Sequence, residues 1–299
     1  MLDVVIIGSG PAGITAAIYA KRANLNVAVV EKEYLGTGQI AESSRVDNYL
    51  GIPGIDGYSL GEKFREHAES LGVEFTEAQV LSLGQKDGIW IIGCDEDITL
   101  ESKAVIYATG CKNRPLGVPG EEKYYGRGLS FCAVCDGAFY KGKRVAVIGG
   151  GDTALDDAMY LSDICEKVYL VHRREFFRGS ASTLEKLKQK ENVEIIVNVR
   201  VEEITGDKKI DGIILDNKTK LNISGLFAAV GMIPQTELLK EFGVLDESNY
   251  VKASEDTKTT VNGLFAAGDV RTKQLRQVVT AAADGANAIY SVMEYLRNI

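Results

Sequence analysis

Residues 4–13 read VVIIGSGPAG, a short apolar run followed directly by a glycine-rich turn, and a run of small residues comes next. The apolar run predicts a buried strand and the small residues predict a helix, with a tight turn between them. A second apolar run at residues 27–30 ends at Glu31, 23 positions after Gly8. A strand, a glycine turn, a helix and a second strand that ends in an acid together make the full dinucleotide-binding pattern.

The same pattern occurs a second time, where residues 145–154 read VAVIGGGDTA. After a predicted helix, an apolar run at residues 168–171 leads to His172, again 23 positions after Gly149. Ala154 stands in place of the third glycine, a variant that this turn allows. One glycine-rich turn is weak evidence, because many strand-to-helix turns look like it. Two copies with the same spacing predict an α/β fold with two Rossmann-like nucleotide-binding domains, each a three-layer ββα arrangement.

The two copies differ in the residues that end the second strand. In the first copy this residue is Glu31, whose carboxylate can accept hydrogen bonds from ribose hydroxyls. In the second copy the residues are His172, Arg173 and Arg174, with Arg178 one helical turn further along. A carboxylate would repel a 2′-phosphate, whereas arginines bind it through paired hydrogen bonds. The first copy is therefore predicted to bind FAD and the second NADPH; the alternative is that the arginines form a solvated basic loop.

Two further segments support a flavin domain that is split in the sequence. Residues 105–110 and 226–231 resemble each other, and each is predicted to be the last strand of its unit. Residues 263–269 predict a strand that delivers Asp269 to a turn, followed by a long helix rich in alanine and glycine. The N-terminal amides of that helix would stabilise negative charge on a flavin, and Asp269 could accept a hydrogen bond from a ribityl hydroxyl.

The segment between the two copies carries ordinary local signals. Ser59 and Glu62 form a capping-box pattern, which predicts a helix that opens at Ser59 and ends before Gly72. The apolar residues at 89–92 and 98–100 predict a β-meander.

Cys132 and Cys135 form a CxxC pair just before the second glycine turn. Structural zinc would normally need a second cysteine pair at a matching spacing, and Cys111 and Cys165 do not supply one. Two buried thiols are a second alternative. The third is a redox dithiol, in which one thiolate is stabilised and the pair closes into a reducible disulfide. The neighbouring nucleotide unit favours the redox pair, and Asp136 beside it is a candidate acid for protonating a leaving thiolate.

The bulk composition narrows the class of protein. The chain has 299 residues, 45% of them hydrophobic, and a formal net charge of −8. This length suits two globular domains, and the acidic balance argues against a nucleic-acid-binding protein. The N-terminus lacks the pattern of a signal peptide and no apolar run is long enough to cross a bilayer, so we expect a cytoplasmic protein that binds no membrane. The odd number of cysteines fits a reducing compartment with one working pair.

Along almost its whole length the sequence resembles the low-molecular-weight, bacterial-type thioredoxin reductases, which are FAD- and NADPH-dependent pyridine nucleotide-disulfide oxidoreductases. The resemblance rests on the two glycine turns, the Cys-Ala-Val-Cys-Asp segment, the arginines after the second copy and the stretch from Gly268 to Gln277. It implies a homodimeric enzyme that passes electrons from NADPH through FAD and the Cys132–Cys135 disulfide to oxidised thioredoxin or a thioredoxin-like dithiol protein. It also implies that Cys135 lies nearer the flavin and that Cys132 attacks thioredoxin.

The same resemblance implies the domain boundaries. Residues 1–113 and 236–299 are expected to form a discontinuous FAD-binding domain. Residues 114–235 are expected to form the NADPH-binding domain, which is inserted into the first and carries the redox disulfide. Rotation of the domains between half-reactions is expected about hinges near residues 112–115 and 232–235.

The resemblance also assigns individual residues to the sites. The catalytic residues are expected to be Cys132, Cys135 and Asp136. The residues expected to bind FAD are Gly8, Ser9, Gly10, Pro11, Ala12, Gly13, Glu31, Lys32, Gly38, Gln39, Asn48, Val80, Ala108, Thr109, Gly110, Asp269, Arg276, Gln277 and Val278. The residues expected to bind NADPH are Gly149, Gly151, Asp152, Thr153, Ala154, His172, Arg173, Arg174 and Arg178. No metal ligand is expected.

Departures from the family pattern are small, and other functions remain open. Thr37 stands in a glycine turn, Leu50 stands where proline is usual, Asp156 and Asp157 replace two glutamates, and Gly179 replaces an alanine. A ferredoxin-NADP reductase of the same fold would lack the cysteine pair, and a ferredoxin-dependent thioredoxin reductase would lack the arginines. A glutaredoxin-like or peroxidase partner would keep the chemistry. A non-catalytic flavin-binding sensor would leave the cysteine pair without a use.

Overall fold

The computed structural model describes residues 1–33, 37–43 and 45–299. The chain folds into two compact units. The first unit comprises Met1–Lys112 together with Ile233–Ile299, and the second is the continuous segment Asn113–Met232. Both units are of the α/β type, which confirms the predicted fold class.

The secondary structure elements are numbered in chain order. The strands are β1 (Leu2–Ile7), β2 (Val27–Glu31), β3 (Glu74–Glu77), β4 (Val80–Lys86), β5 (Ile89–Cys94), β6 (Thr99–Tyr107), β7 (Cys111–Asn113), β8 (Leu129–Ser130), β9 (Arg144–Gly149), β10 (Lys167–His172), β11 (Val193–Val197), β12 (Val201–Gly206), β13 (Ile210–Leu215), β14 (Lys220–Asn222), β15 (Gly225–Ala229), β16 (Met232–Pro234) and β17 (Leu264–Ala266). The α-helices are α1 (Pro11–Arg22), α2 (Gly57–Ser70), α3 (Ala133–Asp136), α4 (Asp152–Ser162), α5 (Ala181–Lys188) and α6 (Val278–Leu296). Short 3-10 helices cover Gly38–Glu42, Glu121–Tyr124, Gly137–Tyr140, Glu237–Phe242 and Gly268–Val270. Among the residues described, none of the helices has both the length and the apolar character needed to cross a bilayer.

The first unit is built on a parallel sheet. Strands β3, β2, β1, β6 and β17 run parallel in that order, and β4 and β5 continue from β6 as the predicted antiparallel meander. Val4 and Ile6 are buried on the face that α1 and α6 cover, and Val5 and Trp90 are buried on the opposite face. A parallel strand that is covered on both faces needs apolar residues throughout, which is why residues 4–7 show no alternation.

Helix α2 begins earlier than the capping-box pattern predicts. Asp56, not Ser59, is the N-cap, and its carboxylate accepts a hydrogen bond from the Ser59 backbone N–H at 2.9 Å. Gly57 follows it because a Cβ at this position would collide with the carbonyl oxygen of Ile40. The predicted start was wrong because a carboxylate about one turn earlier caps the amides and also interacts favourably with the helix dipole.

The second unit repeats the layer order of the first. Strands β11, β10, β9, β15 and β8 form a parallel sheet, and β12, β13 and β14 form a separate antiparallel sheet. Helix α4 packs on the parallel sheet, where Leu155 and Leu170 are fully buried in one apolar cluster. Ile213 of the antiparallel sheet and Leu226 of the parallel sheet are fully buried in a second cluster. Strands β7 and β16, in which the chain passes from one unit to the other, pair with each other.

Candidate nucleotide-binding and redox sites

The first glycine turn connects β1 to α1. Gly8 has a φ of 100°, a backbone conformation that glycine adopts without strain. A Cβ on Gly13 would collide with the Gly8 carbonyl oxygen, so the turn closes only with glycine at position 13. Gly10 is the N-cap of α1, and no described side chain caps the amides of its first turn. These amides and the positive end of the helix dipole form a site suited to a phosphate group.

Glu31 lies beside this turn at the end of β2. Its Oε2 accepts hydrogen bonds from the Ser9 backbone N–H at 2.9 Å and from the Ser9 hydroxyl at 3.0 Å. Its Oε1 accepts a hydrogen bond from the Lys32 backbone N–H at 2.8 Å, while the Lys32 side chain pairs with Glu33 at 3.3 Å. The pairing of β1 with β2 therefore brings a carboxylate to the glycine turn, where it can accept hydrogen bonds from a ribose.

The segments around Ala108 and Gly38 also approach the first glycine turn. The Ala108 backbone N–H donates a hydrogen bond to the Ile7 carbonyl at 2.8 Å, and Gly8 packs against the Ala108 carbonyl. A Cβ on Gly38 would lie 3.4 Å from the Cα of Gly10. Two backbone segments that are distant in the sequence thus line the same turn.

Asp269 lies on the turn after β17. Its Oδ1 is buried and has no hydrogen-bond partner among the described residues. Burial raises the pKa of this carboxyl, and the charges of Lys273 and Arg276 counteract part of the rise. A buried carboxylate oxygen is costly unless some group donates a hydrogen bond to it. The turn therefore fits a ligand that carries a hydroxyl, such as a ribityl chain.

The start of α6 is joined to this turn. Gln277 is the N-cap of α6, which opens at Val278, and the Gln277 Oε1 accepts a hydrogen bond from the Asn48 amide at 2.9 Å. The Arg276 Nε donates to the Asp269 carbonyl at 3.3 Å, and its guanidinium lies over the Tyr250 ring. These contacts bring together four of the residues that the sequence assigned to FAD.

Two further assigned residues have mainly structural contacts. The Thr109 hydroxyl donates a hydrogen bond to the Gln235 carbonyl at 2.7 Å, and the Gln235 backbone N–H donates to the Gly110 carbonyl at 3.0 Å. Val80 packs in the apolar cluster with Val30, on the face of the sheet opposite α1.

Cys132 and Cys135 form a disulfide with their Cα atoms 5.3 Å apart, as the sequence predicts. Cys132 is the N-cap of α3, and the Cys135 backbone N–H donates a hydrogen bond to the Cys132 Sγ at 3.2 Å. Ala133 is fully buried between them, whereas Val134 is 53% exposed. A backbone amide in this position can stabilise negative charge on the Cys132 sulfur.

Asp136 follows the second cysteine directly. Its Oδ2 accepts a hydrogen bond from the Ser130 hydroxyl at 2.6 Å, and the Ser130 Oγ accepts one from the Cys132 backbone N–H at 3.1 Å. Burial raises the pKa of Asp136, and the Ser130 hydrogen bond offsets part of the rise. A raised pKa keeps more of the carboxyl protonated, which suits an acid in thiol exchange. No local motif marks Ser130, because its contact depends on β8 lying beside α3.

Asp157 on α4 is a second carboxyl close to the disulfide segment. Burial and the charge of Asp156 raise its pKa to about 7, while a hydrogen bond from the Ala133 backbone N–H lowers it in part. Ala133 comes directly after Cys132, so this carboxyl contacts the backbone between the two cysteines. The only sequence signal was the replacement of two glutamates by Asp156 and Asp157, which does not reveal that Asp157 is half-buried and Asp156 exposed.

The second glycine turn also joins a strand to a helix, but Gly149 lacks the positive φ of Gly8, and Ala154 occupies the position that must be glycine in the first turn. Gly151 is the N-cap of α4, and no described side chain caps the start of this helix. The His172 ring lies against Gly150, and its Nε2 is 3.2 Å from the Phe176 carbonyl oxygen. Burial lowers the pKa of His172, the Phe176 carbonyl partly opposes this, and neighbouring arginines lower the pKa further. The His172 ring, kept neutral by its lowered pKa, therefore packs against the backbone of the turn at Gly150.

The basic segment after β10 lies beside this turn. Its exposed arginines are Arg173, Arg174 and Arg178. The Arg178 backbone N–H donates a hydrogen bond to the Gly150 carbonyl at 2.7 Å. The Asp152 Oδ1 accepts one from the Ser180 backbone N–H at 2.7 Å, which ties the segment to the first residue of α4. Exposed guanidinium groups next to uncapped helix amides suit a ligand with more than one phosphate.

Two dinucleotide-type turns and a CxxC disulfide in one chain are the arrangement of a nucleotide-dependent oxidoreductase. A family model described as pyridine nucleotide-disulphide oxidoreductase matches residues 2–285, and the chain belongs to this family.

Similar proteins of known sequence or structure include thioredoxin reductases. The thioredoxin reductase of Bacillus subtilis is 38% identical over 305 residues, which cover 99% of this chain and 95% of that protein. A 34.2 kDa protein in the rubredoxin operon of Clostridium pasteurianum is 39% identical over 303 residues, covering 99% and 97% of the two chains. The crystal structure of thioredoxin reductase from Streptococcus pyogenes superimposes with a TM-score of 0.93 at 39% identity, and covers 100% of this chain and 99% of that one.

Proposed function

We propose that this chain is an NADPH-dependent thioredoxin-disulfide reductase, in which electrons pass from NADPH through FAD and the Cys132–Cys135 disulfide to oxidised thioredoxin. The observation that carries the proposal is this disulfide, held in a unit that also has a nucleotide-type turn flanked by exposed arginines. Membership of the family and the thioredoxin reductases among its relatives support the same activity. A thioredoxin-like dithiol protein is the alternative partner for the same chemistry.

The FAD-binding domain of the proposal consists of residues 1–113 and 236–299. The uncapped amides of α1 would bind the pyrophosphate, Glu31 would accept hydrogen bonds from the ribose, and the unpartnered Asp269 Oδ1 would accept one from a ribityl hydroxyl. The chemistry that FAD supplies when bound is two-electron transfer between a reduced nicotinamide and a disulfide.

The NADPH-binding domain of the proposal consists of residues 114–235. The uncapped amides of α4 would bind the pyrophosphate, and Arg173, Arg174 and Arg178 would hold the 2′-phosphate. NADH lacks this phosphate, so the arginines would act as the selectivity element. The nicotinamide and the disulfide must contact the flavin one after the other. The proposal therefore includes a rotation of the domains about residues 112–115 and 232–235.

Thiol exchange with thioredoxin would use both cysteines and one carboxyl. The Cys132 thiolate attacks one sulfur of the partner's disulfide, forms a mixed disulfide and releases a partner thiolate. Cys135, as thiolate, then attacks the Cys132 sulfur, which re-forms the Cys132–Cys135 bond and releases the second partner thiolate. Two electrons have then moved to the partner, and the protonated Asp136 can give its proton to a departing thiolate.

A homodimer is part of the proposal, and the surface of the first unit supports it. Tyr19 of α1 and Tyr290 of α6 are 47% and 75% exposed. They line one surface depression together with Arg22 and Met293. Exposed aromatic side chains grouped in this way are typical of a protein–protein contact.

A cytoplasmic location is also proposed. Cys94, Cys111 and Cys165 are buried and unpaired among the described residues. Free thiols next to a single reducible pair are usual in a reducing compartment.

The decisive experiment compares Cys135→Ser with Cys165→Ala, a control that removes a buried thiol from the same unit. Wild type and the control should reduce oxidised thioredoxin with NADPH, whereas Cys135→Ser should lose at least about a thousandfold in kcat/KM because one of the two exchanging sulfurs is gone. All three should be isolated yellow, and NADPH should bleach the flavin absorbance in each.

The possible results separate the proposal from its alternatives. A colourless wild-type protein, or full turnover by Cys135→Ser, would refute the proposed function. Reduction of a glutaredoxin-like protein in preference to thioredoxin would keep the chemistry and change the partner. Flavin reduction by reduced ferredoxin but not by NADPH would move the protein to the ferredoxin-dependent class.

A further inference from the structure

A buried ionic cluster lies in the first unit, apart from the groups assigned to the ligands above. Asp284 on α6 pairs with Arg271 at 2.6 Å and with Lys273 at 2.9 Å. Asp284 and Arg271 are 3% and 7% exposed, and the Lys273 side chain is 6% exposed. Replacing such a cluster by apolar residues is often neutral or stabilising, so its presence calls for a role besides stability.

Asp284 also binds the backbone of the Asp269 turn. Its Oδ2 accepts hydrogen bonds from the Gly268 backbone N–H at 2.9 Å, from the Arg271 Nε at 2.8 Å and from the Lys273 Nζ at 2.9 Å. Burial raises the pKa of Asp284, but the hydrogen bonds and charges of Arg271 and Lys273 outweigh it and lower the pKa below its usual value. The group is therefore a carboxylate that holds one peptide N–H of the turn.

Two further side chains bind the backbone of the Asp269 turn, at the carbonyl of Asp269 itself. The Asp269 carbonyl accepts hydrogen bonds from the Cys111 Sγ at 2.9 Å and the Arg276 Nε at 3.3 Å. The backbone on both sides of the Asp269 side chain is thus fixed by polar contacts, while its Oδ1 stays unpartnered among the described residues.

The cluster stands where α6 crosses the start of α1. A Cβ on Gly268 would lie 2.9 Å from the Ala12 Cβ, and Gly268 has a φ of 82°. Gly285, next to Asp284, packs so closely on α1 that a Cβ there would collide with the Ala12 carbonyl oxygen. Ala12 belongs to the first glycine turn, so Asp284 holds the Asp269 turn against the segment that would bind the pyrophosphate.

We infer that Asp284 is a positioning residue for the flavin site: its hydrogen bond to the Gly268 peptide, made inside the ionic cluster, holds Asp269 in the orientation that binds the cofactor. The inference rests on the proposed function, which places FAD in the first unit. Asp284 itself would not touch the cofactor and would act through Asp269.

A double-mutant cycle on the full chain tests the inference. Apoprotein of wild type, Asp269→Asn, Asp284→Asn and the double variant is titrated with FAD, and the dissociation constant is read from the flavin fluorescence. The control is Glu294→Gln on α6, the helix that also carries Asp284. It removes an exposed carboxylate that pairs with Lys258. Each single variant of the cycle should weaken FAD binding about tenfold, and the control by less than about twofold.

The coupling between the two sites decides between positioning and a general structural role. If Asp284 acts through Asp269, the double variant should bind FAD about as weakly as Asp269→Asn alone, because effects through a shared partner do not add. Losses that multiply to about a hundredfold, or an Asp284→Asn protein that binds FAD like the control, would overturn the inference.

Two further results are covered by the same design. If Asp284→Asn does not fold, the apolar replacement Asp284→Leu with Arg271→Met and Lys273→Met takes its place in the cycle, since it leaves no unpaired buried charge. This variant should fold and still bind FAD about tenfold more weakly. A wild-type apoprotein that does not bind FAD would refute the proposed function itself, whereas a wild type that binds FAD alongside an unaffected Asp284 variant refutes only the positioning role.

Discussion

The two glycine turns each join a parallel strand to a helix, but their backbones and their chemical surroundings differ: Gly8 has a φ of 100°, whereas Gly149 has no positive φ. In the first unit the residue that ends the second strand is Glu31, which folds back to accept hydrogen bonds from Ser9. In the second unit the equivalent residue is His172, whose ring packs against Gly150. The arginines that follow it are exposed. A repeated fold thus carries either an acidic or a basic strand end beside its glycine turn, and a few side chains decide which.

The helices after the two turns are covered by different elements. In the first unit α6 crosses α1, and Gly285 packs against the backbone of Ala16, which is fully buried. The position on α4 that corresponds to Ala16 is Asp157, whose carboxylate accepts a hydrogen bond from the Ala133 backbone N–H on the disulfide helix α3. The same helix position therefore serves packing in one unit and contacts the redox segment in the other.

The largest expected difference between the two units is in how much stability each loses when a glycine of its turn is replaced by alanine. Gly13→Ala should destabilise the protein by on the order of 3 kcal/mol or more, because its methyl group would collide with the Gly8 carbonyl. Gly151→Ala should destabilise the protein by at most about 1 kcal/mol, because its Cβ would enter open space and only the preference for glycine over alanine at the N-cap is lost. Urea unfolding of both variants measures the difference; equal stabilities would show that the first turn is not closed as tightly as described.

A smaller effect concerns the arginines of the second unit. Replacing Arg173 and Arg174 by alanine should raise the KM for NADPH about a hundredfold, because each charge-assisted hydrogen bond to the phosphate is lost. The KM for NADH should change by less than about threefold, since NADH has no 2′-phosphate. Steady-state kinetics with both nucleotides provides the check, and a parallel rise for both would remove the phosphate from this site.

The smallest effect is the pH dependence of stability that Asp157 gives to the second unit. The pKa of Asp157 is raised from 3.8 to about 7, so the folded chain binds more protons than the unfolded chain between these values and loses stability as the pH rises through them. Asp157→Asn should therefore stabilise the protein by on the order of 2 kcal/mol at about pH 8 and very little at about pH 4.

Asp156→Asn is the matched control for this prediction, because Asp156 is the exposed neighbour on the same helix. It should give a much smaller change in urea unfolding across the same pH range. A gain for Asp157→Asn that is equal at both ends of the range would show that the half-buried Asp157 carboxyl does not titrate there.

The fold class and the cysteine pair could be predicted because their signals are local. Apolar runs and glycine turns act within about ten residues, and Cys132 and Cys135 are joined by a single turn of helix. The start of α2 was missed even at this range, because Asp56 competes with Ser59 for the same amides and the pattern alone does not rank them.

The amino-acid sequence by itself determined the two strand–turn–helix units, the contrast between the acidic and the basic strand end, and the CxxC disulfide. Only the tertiary structure decided the partners of Asp136, Asp157 and Asp284, which Ser130, Ala133 and Gly268 supply. The physical reason is that the pKa and hydrogen bonding of a carboxyl depend on burial, and burial is set by whichever distant element covers it. Backbone preferences depend on neighbouring residues in the sequence, whereas the environment of a buried charge exists only after the helices and strands of its unit have packed.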